Sequence, residues 1–192
     1  MRTTISIFLA AIILTTTGCL SSDDEKDDSN VKYQLDKLKE DFHTDGSIDI
    51  ITQFSYDTNG RVTNSEEIEP ESDLHSNFTT YSDWNSHGDP LSYTVDVDGD
   101  DVVDYSGTFT YNDHDYVEFK TFVWPGETDP YRTDKYSYAY QSNGKPYKRT
   151  EYDFYDGRDV GGTTYRISYK GDYPSSETDG LDAKYYVWVK RP

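Results

Sequence analysis

Apolar and polar side chains alternate along this chain in short runs, and each run ends in a polar turn. Tyr105, Phe109 and Tyr111 share one parity, as do Tyr136, Tyr138 and Tyr140, and Tyr165, Ile167 and Tyr169. Phe78, Thr80, Ser82 and Trp84 form a weaker copy, and serines and threonines fill many of the positions between. A period of two predicts strands with one face packed and one face wet. Returning strands are predicted over 91–97, 117–124 and 147–154, and 183–190 reads as the last strand, with flanking lysines to blunt an exposed edge. Residues 31–42 fit a helical face and an alternating strand equally well. The register of the following turns places a strand there.

The turns recur. Tyr56, Trp84, Tyr111, Tyr140 and Tyr169 each stand at the mouth of a polar turn, 28, 27, 29 and 29 residues apart. A fixed period of this length marks a repeated supersecondary unit. It divides the chain into 33–60, 61–88, 89–116, 117–144 and 145–172, with 173–192 as a partial unit. A second turn lies inside the units, at Asp45-Gly46, Asp98-Gly99, Pro125-Gly126, Asp156-Gly157 and Asp179-Gly180. Asp-Gly between alternating runs is a hairpin signal, because glycine accepts positive φ. In the second unit Glu69-Pro70-Glu71-Ser72 replaces it and predicts a longer loop. The expected fold is all-β: an antiparallel meander of about ten strands, built from five hairpin repeats of about 28 residues. Its aromatic face requires the sheet to curl or close like a barrel.

The N-terminal residues have a different character. Arg2 precedes an apolar run over 5–14, shorter than the roughly 20 residues of a membrane span, and small residues lead to Thr16-Thr17-Gly18-Cys19. This segment resembles the lipobox signal of bacterial lipoproteins, with Thr16 where leucine is commonest. The resemblance implies cleavage after residue 18 and a lipid anchor on Cys19, the only cysteine. Leu20, where aspartate would favour inner-membrane retention, implies the outer membrane. Residues 19–30 form an acidic tether too polar to fold, and 31–192 form the β-hairpin repeat domain.

Composition narrows the function. Aromatic residues make up 16% of the chain, 19 of them tyrosine, which suits a half-buried pleated surface. The net charge of −19 argues against nucleic acid as a partner. Tyr56-Asp57-Thr58-Asn59-Gly60-Arg61-Val62 resembles the YD repeat of RHS-type bacterial surface proteins, and the acidic run 96–104 followed by Thr108-Phe109-Thr110-Tyr111 is similar to the Asp-Gly-Asp repeats that alternate with YD turns. Asn85, Asn112, Gln141 and Lys170 stand where that motif has aspartate. The resemblance implies a surface β-hairpin array. It does not imply the toxin shell of the large RHS proteins, for which five units are too few.

Candidate chemistry is sparse. Asp96, Asp98, Asp100 and Asp104 alternate like the first half of a calcium loop but lack its closing glutamate, so weak calcium binding competes with a plain solvated turn. His43, His75, His87 and His114 have no ligand spacing, and no nucleophile motif or phosphate loop is present. Trp84, Trp124 and Trp188 serve either as core or as a sugar-binding platform. The leading expectation is a non-enzymatic lipoprotein anchored in the membrane, serving envelope structure or binding a protein or glycan partner. The alternative is a secreted carbohydrate-binding protein or glycoside hydrolase with an aromatic cleft.

Overall fold

The computed structural model describes residues 33–190. The signal segment, Cys19 and the acidic tether lie outside the described residues. Twelve antiparallel strands follow one another around a closed barrel: β1 (Tyr33–Asp41), β2 (Ile50–Tyr56), β3 (Val62–Glu69), β4 (Leu74–Trp84), β5 (Pro90–Asp96), β6 (Tyr105–Tyr111), β7 (Val117–Phe122), β8 (Arg132–Tyr140), β9 (Pro146–Tyr155), β10 (Arg158–Lys170), β11 (Tyr173–Thr178) and β12 (Ala183–Lys190). The barrel is the all-β, curled sheet expected from the alternation. There are twelve strands rather than about ten, because residues 173–190 supply a complete strand pair.

Closure comes from β1 and β12, which pair antiparallel from Tyr33↔Lys190 to Asp41↔Ala183. This pairing corrects the expectation of an edge at the last strand: β12 has a neighbour on each side, and Lys184 points inward, 2% exposed. Because the order is a simple meander, alternate connections lie at opposite ends. One end, the turn end, carries the β2/β3, β4/β5, β6/β7, β8/β9 and β10/β11 hairpins together with both ends of the strand run. The other, the loop end, carries the remaining six connections.

The tight turns share one construction. The amide of Asp57, Asn85, Asn112 or Gln141 donates to the carbonyl four residues on, at Arg61, Asp89, Tyr116 or Lys145. In three of the four, the side-chain oxygen of the first residue also accepts the amides two and four residues on, at 2.9–3.2 Å, as Asp57 does from Asn59 and Arg61. Only an oxygen is needed there, so Asn85 and Asn112 serve as well as aspartate. Gln141 is one methylene too long, and Asn143 Oδ1 takes the Lys145 amide instead. The fourth position has positive φ, which selects Gly60, Gly88 and Gly144 and is tolerated by Asp115.

A second recurrence ties strands together. Tyr56 donates its hydroxyl to Leu35 O, Tyr111 to Pro90 O, Tyr138 to Val117 O and Tyr169 to Pro146 O, at 2.7–3.0 Å. Trp84 and Trp188 donate their ring N–H to Val62 O and Pro174 O. The six acceptors fall at 35, 62, 90, 117, 146 and 174, hence 27, 28, 27, 29 and 28 residues apart. Each bond joins an even-numbered strand to the strand before it, near the turn end. Tyr138 makes the fourth bond, while the predicted anchor Tyr140 stacks on His114 at 4.4 Å.

Outside, the wall is polar. Ser106, Thr108 and Thr110 of β6, Thr133, Lys135 and Ser137 of β8, and Thr164, Arg166 and Ser168 of β10 face solvent between buried neighbours. Hydroxyls pair across strands, as at Ser82–Ser92 and Thr150–Thr164, both 3.0 Å. A barrel bathed in lipid needs an apolar outer band, and this wall has the opposite pattern.

Candidate functional site

Three regions compete as functional sites: the lumen, the acidic turn at 96–104, and the rim of the loop end. The lumen is a packed core divided along the barrel axis. Toward the turn end it is aromatic and aliphatic, with Phe54, Tyr81, Phe109 and Tyr136 among the buried side chains. Toward the loop end the same inward parity carries charge. Glu40, Glu67, Lys120, Arg132, Asp134, Glu177 and Lys184 are buried there beside Tyr105 and Phe122, and Arg149 and Glu151 are buried nearer the middle of the barrel. Twelve strands enclose more width than rings alone fill, and long charged side chains reach across it.

These charges pair along the lumen. Arg132 grips Asp134 through two hydrogen bonds of 2.7 and 3.0 Å and reaches Asp153 at 3.3 Å. Arg149 Nη2 donates to Glu177 Oε2 at 2.7 Å, and Lys184 Nζ lies 2.8 Å from Glu40 Oε2. Asn77 donates to Glu67 at 2.7 Å. Lys120 Nζ sits over the rings of Phe122, Tyr93 and Phe109 at 4.7, 5.0 and 5.9 Å, a cation–π nest inside the barrel. Glu151 differs from the rest. It is 2% exposed, neither of its oxygens accepts a hydrogen bond, and Arg149 Nη1 lies 3.9 Å away.

Burial sets the protonation of this layer. It pushes Glu67 and Glu151 up to about 7, against the Asn77 hydrogen bond in the first case and the Arg149 charge in the second. It lifts Asp134 to about 6 against the pull of Arg132, and lowers Lys120 to about 8 against the nearby Asp134 carboxylate. The strand alternation already carried this signal. Arg132 and Asp134 share parity with Tyr136 and Tyr138, and Arg149 shares it with Glu151, so inward charge was written beside inward rings. Charge is ordinarily a mark of surface, which masks the inward parity of these residues.

The acidic turn joins β5 and β6 at the loop end. Carboxylate oxygens of Asp96, Asp98 and Asp104 lie within 4.8 Å of one another. Asp100 does not join them, and its Oδ1 accepts the Val102 amide at 2.9 Å. Asp96 is spent on the turn itself, taking the amides of Gly99 and Asp101 at 2.7 Å and of Asp100 at 3.3 Å. Asp104 Oδ2 takes the Val97 amide at 2.7 Å. Calcium asks for six to eight oxygens. The acceptors left over here are those of the exposed Asp98 and one oxygen of Asp104, so the donor set fits a self-capped turn better than a cation site.

Compared with known proteins, the chain matches no protein-family model and no curated protein. The site must be read from its own residues.

The tryptophans separate into two roles. Trp84 and Trp188 are half-buried and hydrogen-bonded to backbone, and Arg61 lies 4.4 Å over the Trp84 ring. Trp124, between β7 and β8, is 49% exposed and stacks on Tyr131 at 4.3 Å with planes 12° apart. The Asp156 amide donates to Tyr131 O at 3.1 Å, which brings the β9/β10 turn against this pair. The Arg132 guanidinium lies 5.3 Å from the ring of Tyr155, whose outer face is exposed. The four histidines are all exposed. His87 meets Asp115 at 3.2 Å and His75 meets Glu66 at 3.4 Å, which are surface pairings.

Proposed function

We propose that this chain is a non-enzymatic bacterial lipoprotein, a β-barrel binding module tethered by Cys19 and the acidic segment 19–30, with its loop end turned away from the membrane. The observation that carries this reading is the pairing of Tyr33 with Lys190 at the turn end, which puts the first described residue at the end opposite the loops. The polar outer wall supports it too, since such a barrel is held beside a bilayer by an anchor and not by its own surface. Several acyl chains suffice, at roughly 0.8 kcal/mol per buried methylene. Leu20 directs the anchored protein to the outer membrane.

Glu40, Glu67, Asp134, Glu151 and Glu177 are buried in the lumen, so they offer no acid–base pair to an external glycan. Two of the three tryptophans are committed to the wall. Both points weigh against the hydrolase alternative. The test is fractionation of the full-length chain and its Cys19→Ala variant. The anchored protein sediments with membranes and the variant does not. A variant that still sediments after signal cleavage refutes the anchor.

A further inference from the structure

The loop end is chemically unlike the turn end. Its six connections, 42–49, 70–73, 97–104, 123–131, 156–157 and 179–182, contain 13 Asp and Glu and no Lys or Arg. The turn-end connections, 57–61, 85–89, 112–116, 141–145 and 171–172, contain five Asp together with Arg61 and Lys145. Exposed large apolar side chains at the loop end sit among these carboxylates: Leu74, Val102, Val103, Trp124 and Leu181, the last 70% exposed. These side chains give the rim apolar surface among its charges, and the Trp124–Tyr131 stack is its largest aromatic surface. The stacked pair Trp124–Tyr131 is held rigid from below by Phe122, whose ring centre lies 6.3 Å from that of Tyr131.

We propose that this rim, centred on Trp124 and Tyr131, docks a basic amphipathic protein segment. The proposal rests on the reading of the barrel as an anchored binding module, and names its partner. Charge complementarity selects the occupant. A face with acidic groups in every loop, and with Arg158 at the start of β10 as an adjoining cation, attracts lysine and arginine side chains, and it repels anionic lipid and nucleic acid. The free face of Trp124 accepts an arginine or lysine head by cation–π contact, while Glu127, Asp129 and Asp156 on the adjoining turns supply the counter-charge. The apolar side chains of the segment then cover the exposed leucine and valine tips. A neutral glycan would use the tryptophan and hydrogen-bond to individual carboxylates, but it carries no charge to offset the 13.

The test uses full-length protein in non-ionic detergent and a fluorescein-labelled helical peptide with leucines on one face and arginines on the other. Anisotropy should show saturable binding that weakens by at least about tenfold in Trp124→Ala, as central aromatic anchors do. The triple variant Glu127→Gln, Asp129→Asn, Asp156→Asn should also bind more weakly, and raising salt from 50 to 300 mM should weaken wild-type binding. Tyr147→Ala, on the outer wall near the turn end, should bind as wild type does. No binding, or equal binding by wild type, Trp124→Ala and the triple variant, overturns the proposal. So does binding of an N-acetylglucosamine oligomer in place of the peptide. None of these results touches the anchor, which the fractionation of Cys19→Ala decides separately.

Discussion

Replacing Glu151 with Gln should make the barrel more stable at neutral pH. The carboxyl lies in the lumen with neither oxygen hydrogen-bonded, and burial raises it from its ordinary 4.5 to about 7. A folded state that holds the proton more tightly than the unfolded chain binds more protons between those two values. Stability therefore falls as pH rises through that window, and the full cost is present above about 7. At about 1.4 kcal/mol per pH unit the ionised group costs about 3 kcal/mol at pH 7.5 and under about 1 kcal/mol at pH 5. Glutamine keeps the shape and removes the charge. Urea unfolding of wild type and Glu151→Gln at both pH values gives two stability differences, and subtracting one from the other cancels any cost of the amide itself. The variant should gain about 2 kcal/mol more at pH 7.5 than at pH 5. A gain that is equal at both, or a loss that grows with pH, would refute the reasoning. It would mean that Glu151 is ionised in the fold and balances Arg149 and Lys184, in which case removing its charge breaks a buried pair.

Three further expectations follow from close contacts. Gly107→Ala places a Cβ 1.9 Å from Thr121 O and 2.6 Å from the Tyr93 hydroxyl, so β6 must move off its neighbour; the variant should lose at least about 3 kcal/mol in urea melts, and a loss below about 1 would contradict the packing. Tyr111→Phe removes one of the six bonds to backbone carbonyls and should cost about 1 kcal/mol, a fall of about 2–4 °C in Tm. Asp96→Ala strips three amides of their acceptor and should lower Tm equally in calcium and in chelator; a drop confined to calcium would make Asp96 a ligand instead.

The turn chemistry was legible because it is local. Residues 57–61 and 85–89 specify their turns through an oxygen at the first position and a glycine at the fourth, and both are visible in sequence. The strands were legible because alternation has a period of two. The candidate sites were less so. Trp84 and Trp124 look alike in sequence, yet one is tied to Val62 O and the other stacks on Tyr131 with its outer face exposed, a difference made by where their strands end. Lys184 read as a guard for an edge strand and turned out to be a lumen residue, because the edge does not exist.

By itself, then, the sequence determined the repeating turn, the strand parity and the acidity of the loops, each set by neighbours within a few residues. Only the tertiary structure decided closure. Pairing β1 with β12 joins residues some 150 positions apart in the chain, and no local signal encodes it. Closure in turn defined an inside. Once the wall sealed, inward parity became burial, Glu67 and Glu151 lost their water, and the charges of Lys120, Arg132 and Arg149 had to find partners across the lumen. It also set the two ends apart, placing Tyr33 and Lys190 at one and gathering the acidic, apolar-tipped loops at the other.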